Sequence, residues 1–181
     1  LKMSLSIGDT NMACIINEGF ALGCRDNTGG VQRVLIKSFS KDDSYTYNVD
    51  GAIVSGVSGE TYYEFEQTSE AAEFTQEGQH SIENGTNFWN QNVNLVFHKY
   101  QASLRDLLYV LAQKELTILI QDQNGKWFLI GEQNGANLIS SAANVGKAYG
   151  DMNGVTVGLQ AKEPTPAREA TSTYINSLTI V

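Results

Sequence analysis

The sequence predicts a mainly β protein: an antiparallel β-sandwich or barrel with one α-helix packed against it, over about residues 102–113. Three observations carry this expectation. Apolar and polar residues alternate with a period of two through much of the chain, the pattern of strands with one buried face. Glycine-centred turns punctuate those stretches, with 17 glycines against 2 prolines in 181 residues. Only one stretch, Leu104, Leu107, Leu108 and Leu111, follows the i, i+3, i+4, i+7 spacing of a helix face. Many strands and one helix point to a sheet architecture with the helix laid on one side.

Taken in order, residues 12–16 and 20–24 read as two short strands about Asn17-Glu18-Gly19. Residues 33–39 form a third, with Val34 and Ile36 on one face and Leu35 on the other. Residues 45–49 and 52–57 flank a turn at Asp50-Gly51. Residues 61–67 alternate so that Tyr63 and Phe65 face a core while Tyr62, Glu64 and Glu66 face away. From 68 to 91 the alternation fails in a Glu-, Gln- and Asn-rich stretch, and a long irregular loop or arm is expected. Residues 92–98 resume with Val93, Leu95 and Phe97 inward and Asn92, Asn94 and His98 outward. The helix follows, with Ser103 and Asp106 as a variant capping box. Residues 116–121 and 126–130 make a hairpin about Asn124-Gly125, the strongest short turn signal in the chain. A last core strand spans 155–161, and Pro164 and Pro166 end it. The expected organisation is one β-sandwich domain over 1–163, with the loop or arm at about 68–91, and a C-terminal arm over 164–181.

The charge is uneven. Ten carboxylates and no lysine or arginine lie between Lys41 and Lys99, while the rest of the chain holds 10 acids and 12 bases. The net charge of −8 therefore belongs to one segment. A surface displaying it repels nucleic acid, whose duplex carries about one negative charge per ~1.7 Å; it also serves as an ordinary solvated face. No run approaches the roughly 20 consecutive apolar residues of a membrane-spanning helix. Leu1 to Gly8 lacks the basic and apolar regions of a secretory leader, and Leu1-Lys2 ahead of Met3 hint at a natural start elsewhere. At this length a core can bury roughly 70% of the unfolded chain's surface without staples. Cys14 and Cys24 flank the first hairpin, which permits a cross-strand disulfide; free, they act as small buried apolar residues.

Motifs for chemistry are weak. Asp122 to Gly125 and Asp151 to Gly154 share Asp-x-Asn-Gly with calcium loops, and Glu132 to Gly135 resembles them. Counting on, however, puts Lys126 or Val155 at the fifth position and Gln133 or Lys162 at the twelfth, where oxygen ligands are needed. They read as hairpin turns. His80 and His98 lack a neighbouring nucleophile and orienting group, and no paired Cys/His spacing suggests zinc. Glu64 with Glu66 or Glu83 could form a glycosidase pair, but any glutamate-rich strand offers as much. Tyr62, Tyr63, Phe88 and Trp89 could stack on sugars, but core positions or anchors at a subunit interface are the commoner use of such aromatics. Asn84-Gly85-Thr86 is a glycosylation sequon, meaningful only in a secreted eukaryotic protein. The sequence gives no catalytic residue, metal ligand or cofactor site.

One block carries a resemblance. It comprises Ser81 to Thr86, Asn94 to Arg105, Leu111 to Gln113 and Asp122 to Trp127, followed by the Gly150 to Leu159 loop and strand running to Glu163-Pro164. Across about half the chain this pattern resembles structural proteins of tailed bacteriophages, in particular a tail-tube-like group from phages of Bacteroidetes-type hosts and marine samples. The resemblance implies a non-enzymatic virion subunit with a tail-tube-like β-sandwich. Such subunits assemble in the bacterial host cytoplasm into hexameric rings, stacked as a tube through which DNA passes without specific binding. Partners would be further copies of the chain and other tail proteins, with no membrane. On that footing Glu60, Glu64 and Glu66 are expected to line the lumen. Phe74, Phe88, Trp89, Leu178 and Ile180 are expected at contacts between subunits, with the 68–91 stretch and the C-terminal arm reaching the next ring. Neck-ring, tail-terminator and head-decoration proteins share the design, and a monomeric carbohydrate-binding β-sandwich is the alternative from another class.

Overall fold

The computed structural model describes residues 26–181 apart from Ser58 and Ser69. The strands expected over 12–16 and 20–24, with Cys14 and Cys24, lie outside the described residues. The fold is mainly β, as the alternation predicts: a curled mixed sheet that closes into half a barrel, with one longer helix. No helix among the described residues is long and apolar enough to cross a membrane.

Three strands form the centre: β1 (Val31–Ser38), β7 (Leu116–Asp122) and β8 (Trp127–Ile130). β7 runs antiparallel to both neighbours, pairing Leu119 with Leu35 on one side and with Leu129 on the other. Successive side chains on a strand point to opposite faces. Yet Val34, Leu35, Ile36, Ile118, Leu119, Ile120, Leu129 and Ile130 are all at most 2% exposed. The centre is therefore covered on both sides. On one side Val34, Ile36, Ile118, Ile120 and Ile130 pack with Val93, Leu95, Val155, Val157 and Leu159 in a first core. On the other, Leu35, Leu119, Leu129 and Trp127 pack with Ile53, Tyr62, Tyr174 and Ile175 in a second.

A four-stranded antiparallel sheet walls the first core, in the order β9 (Ala136–Asn144), β10 (Gly154–Glu163), β6 (Thr86–His98) and β5 (Glu73–Ser81). A single pair, Leu116 with Ala136, joins it to β7, so the sheet turns a corner there. Helix α1 (Ala102–Leu111) packs Leu104, Leu108 and Leu111 on the first core, while Leu107 is 37% exposed. Ser103 lies inside its first turn rather than capping it; Gln101 occupies the cap with extended backbone and no side-chain bond. The second core is covered by β2 (Thr46–Tyr47), β3 (Ile53–Ser55), β4 (Thr61–Glu64), β11 (Arg168–Ala170), α2 (Ser172–Asn176) and β12 (Thr179–Ile180). β11 pairs antiparallel with β8 and parallel with β3; β12 pairs parallel with β4, which lies against β1.

Three expectations need correction. The stretch 68–91 is not an irregular loop: β5 and the first part of β6 form a hairpin with nine paired positions, from Glu73–Asn94 to Ser81–Thr86. Its turn carries Asn84-Gly85, with Gly85 at φ +62°. The strands lack apolar alternation because the far end of the hairpin has little core beneath it. Residues 164–181 are not a free arm. Tyr174 and Ile175 are buried in the second core, with Leu178 and Ile180 packed against it, and Val181 exchanges backbone bonds with Tyr62 (2.9 Å) and Glu64 (2.9 Å). The prolines end one strand without ending the domain. On β4 the faces are reversed, with Tyr62 fully buried and Tyr63 55% exposed, because the second core, invisible to a one-core reading, takes Tyr62.

The Asp-x-Asn-Gly segments are turns. Asp122 accepts the backbone N–H groups of Asn124 (2.9 Å) and Lys126 (2.7 Å), and Gly125 takes φ +82°. Asp151 accepts those of Lys147 and Ala148, both at 2.8 Å, which holds its carboxyl below the usual carboxylate range. Gly154 then meets β6 so closely that a Cβ would lie 2.2 Å from the Phe97 carbonyl oxygen. We expect Gly154→Ala to destabilise the fold by about 1–3 kcal/mol, since two paired backbones must separate. Gly150→Ala, where a Cβ meets nothing within 4 Å, is expected to leave urea unfolding nearly unchanged.

Candidate functional site: an open four-stranded sheet

The β9–β10–β6–β5 sheet presents one face to the first core and the other outward. Residues in register share a face. The outward rows run Glu73–Asn94–Gly158–Ser140, Thr75–Asn92–Gln160–Asn137 and Glu77–Asn90–Lys162. These rows carry amides, hydroxyls and two carboxylates, with Lys162 as their cation; Val96, Ala142 and Phe88 share the same face. Gln160 donates to Asn92 Oδ1 at 2.8 Å, and Asn94 to Glu73 Oε2 at 3.3 Å. Of the inward rows, Phe74–Val93–Leu159–Leu138 is wholly apolar over the core, and Gln76–Gln91–Ala161–Ala136 pairs two amides with two alanines. Gln91 is 1% exposed and well used; its side chain accepts from the Gly131 N–H and donates to the Thr165 carbonyl, both at 3.3 Å.

Both lateral edges of this sheet are unpaired among the described residues. β5 pairs only with β6. β9 pairs with β10, and its other edge meets β7 at Ala136 alone, so its backbone is unpaired on that side from Asn137 to Asn144. β9 carries no charged residue and no proline, and every residue from Ile139 onward is exposed. A register shift beside Gly158 leaves Ile139, 58% exposed, as the extra residue of a bulge. Beyond the end of β5, Gln67 caps part of the β6 edge by accepting the Val96 N–H at 3.1 Å.

The acidic segment is divided by this fold. Asp42, Asp50, Glu66, Glu70, Glu73, Glu77 and Glu83 are exposed, Glu73 and Glu77 of them on β5. Three carboxylates are claimed by cations. Arg33 reaches Glu64 through two bonds, Nε to Oε1 at 2.6 Å and a terminal nitrogen to Oε2 at 2.9 Å. Its guanidinium also sits 5.5 Å over the Trp127 ring. Arg33 hydrogen bonding holds the Glu64 carboxyl below its usual range, against a smaller opposing effect of burial. Lys37 takes Asp43, at 2.7 Å, and Glu60. Elsewhere Glu163 is 2% exposed and accepts the backbone N–H groups of Asn134 (2.9 Å) and Gln133 (3.2 Å). Burial pushes the Glu163 carboxyl up, partly offset by those bonds, and the group pins the β8–β9 turn to the end of β10.

Of the expected lumen acids, Glu60 is interior, with a side chain 7% exposed, Glu64 is held by Arg33, and Glu66 alone is freely exposed. They do not form a common face. Glu73 and Glu77, four residues apart with Thr75 between them on an outward strand face, do; the missing signal was the polar period of two in Glu73-x-Thr75-x-Glu77-x-Gln79. Of the expected contact residues, Leu178 and Ile180 are used inside the chain, and Phe74 stacks on Phe128 with centroids 6.5 Å apart. Phe88 and Trp89 are half-buried on opposite faces of β6, Trp89 edge-on to His80 at 5.7 Å. With Tyr62 buried, no flat aromatic platform arises from the Tyr62, Phe88 and Trp89 set. Among the described residues no three His, Cys, Asp or Glu side chains converge as metal ligands. Compared with known proteins, the chain matches no family and no curated sequence.

The Arg33–Glu64 pair has a defined pH signature. A carboxyl depressed in the folded state stabilises it above the unfolded value, 4.5 for a glutamate, and that contribution is lost as pH falls through the lower folded value. Glu64→Gln is expected to cost about 1 kcal/mol or less at pH 7. The gap between the two proteins should close as urea unfolding is repeated at successively lower pH through that window.

Proposed function

We propose that this chain is a non-enzymatic structural subunit of a phage-type tail tube, in which the four-stranded sheets of successive copies join edge to edge into a closed ring. The observation that carries this reading is the pair of long unpaired edges, β5 on one side and β9 on the other. A backbone edge with free N–H and C=O groups is a template for another strand. Soluble proteins blunt such edges with charge, proline or a cover, and β9 has none of these among the described residues. Joining β5 of one copy to β9 of the next is a heterologous contact, which closes into a ring when the rotation per copy divides a full turn. Hexamers are the ring order that the family resemblance suggests.

In such a ring the outward rows of the sheet would become the wall of the channel. That assigns the lumen acids to Glu73 and Glu77 rather than to Glu60, Glu64 and Glu66. The wall would be mainly Asn, Gln, Ser and Thr, with a net negative charge from two carboxylates against Lys162. Amides and hydroxyls hydrogen-bond water readily, and carboxylates repel phosphate within a Debye length of about 8 Å at physiological salt. DNA would then be kept moving instead of bound. The hairpin tip at 82–85, exposed throughout, extends past the core and suits contact with the adjoining ring.

Electron microscopy of the purified protein over a concentration series tests the assembly. Rings or tubes with an open centre are expected; a uniformly monomeric field at every concentration would sink the proposal. Ile139→Lys places a charge on the open edge at an already exposed position. It should abolish rings while shifting stability by no more than about 0.5 kcal/mol. Channel charge is tested on assembled tubes: Glu73→Lys with Glu77→Lys should retain duplex DNA in a salt-sensitive way, whereas the unaltered tubes should not. Equal DNA retention by both would remove the two carboxylates from the lumen.

A further inference from the structure

Lys37 lies near the end of β1 with its side chain only 8% exposed, and two carboxylates converge on it with side chains 9% and 7% exposed, Asp43 and Glu60. Its Nζ is 2.7 Å from Asp43 Oδ2 and hydrogen-bonds Glu60 Oε1. The second Glu60 oxygen accepts from the Tyr174 hydroxyl at 3.1 Å. Aromatic rings enclose the group: Nζ sits 5.5 Å over the Tyr62 ring, and Tyr45 packs edge-on against Tyr174 with centroids 6.2 Å apart. The tight turn in which the Asp43 N–H bonds the Ser40 carbonyl at 3.2 Å carries Asp43 back to β1. The assembly role of the sheet uses none of these residues.

We propose that this cluster is a modification site at which Lys37 and Asp43 condense into an intramolecular isopeptide bond, with Glu60 as the proton carrier. One cation and two anions together leave a net negative charge in an apolar pocket, and desolvation makes that expensive. Condensation removes the Lys37 and Asp43 charges at once. The carboxyl carbon of Asp43 is one bond beyond an oxygen already 2.7 Å from the nitrogen, hence roughly 3.5 Å away, at the edge of the near-attack range. Glu60 takes a proton from the Lys37 ammonium, and the freed amine attacks Asp43 Cγ. A C–N bond forms, and the Asp43 C–O bond breaks. The departing oxygen leaves as water carrying two protons from the original ammonium, one of them delivered by Glu60, which ends ionised as it began. Ammonium and carboxylate become amide and water, with no oxidant or co-reactant. The Tyr174 hydroxyl positions Glu60, and the rings exclude the water that would favour hydrolysis.

Intact mass spectrometry of the purified chain decides the matter. The protein is expected to be one water lighter than its sequence requires. Trypsin cuts after Lys41, between the two partners, so the peptides on either side of that cut should stay joined, with no cleavage at Lys37. Glu60→Gln, which keeps both reacting groups but cannot carry the proton, should show the full sequence mass. A full-mass unaltered protein would overturn the proposal. So would a water loss whose peptides separate after trypsin, as a cyclised Asp50-Gly51 would give. Water loss persisting in Glu60→Gln would overturn the part assigned to Glu60.

Discussion

Everything in this fold hangs on a three-strand centre with no solvent face. β1, β7 and β8 bury consecutive residues, so each strand needs one set of partners above and another below. A single sheet curled back on itself supplies the first set through β10 and β6. The second set comes from sequence far from the centre, the 45–65 segment and the last dozen residues, which fold back to cover Leu35, Leu119 and Leu129. At about 25 cal/mol per Å² of apolar area removed from water, covering such side chains outweighs what the polar C-terminal segment gains by staying in solvent. That is why residues beyond the two prolines are part of the domain.

The same constraint governs the charges. The turn at Ser40–Asp43 and the start of β4 beside α2 bring Asp43 and Glu60 into an apolar pocket, where Lys37 meets both of them. Arg33, four residues earlier on β1, meets Glu64 at a site that is still partly wet. An acidic segment read as one negative face is therefore divided by depth. Its buried members are structural or reactive, and its exposed members on β5 are the ones available to the outside. Depth, which a linear count of carboxylates lacks, sorts them.

The sheet that walls the first core is built differently from the centre. It has one covered face and one open face, and among the described residues its two edge strands pair with no further strand except at Ala136. A mostly polar outward face with two carboxylates, combined with two free edges of which β9 carries no charge, makes sense for a subunit that presents the face to a channel and the edges to its neighbours. The functional reading rests on that combination of open backbone and polar rows, and on no single side chain.

Much of this was legible in the sequence where a segment has one buried face or a strong turn. Residues 92–98 alternate because the core lies on one side, the leucine spacing at 104–111 marks a helix on a core, and Asn124-Gly125 fixes a hairpin by its positive φ. What the sequence could not show is how many cores there are. Val34-Leu35-Ile36 and Ile118-Leu119-Ile120 are continuous apolar runs, which periodicity alone does not assign to two separate cores. Likewise the polar β5–β6 hairpin is held mainly by backbone pairing to a strand whose own place is set by β10. Local sequence thus determined the strand-rich class, the helix and the turns, since these depend on alternation and on residues within a few positions of each other. Tertiary structure alone decided the faces of β4, the docking of the C-terminus, the meeting of Lys37 with Asp43 and Glu60, and the open edges, since each depends on which distant segment arrives to cover or pair with it.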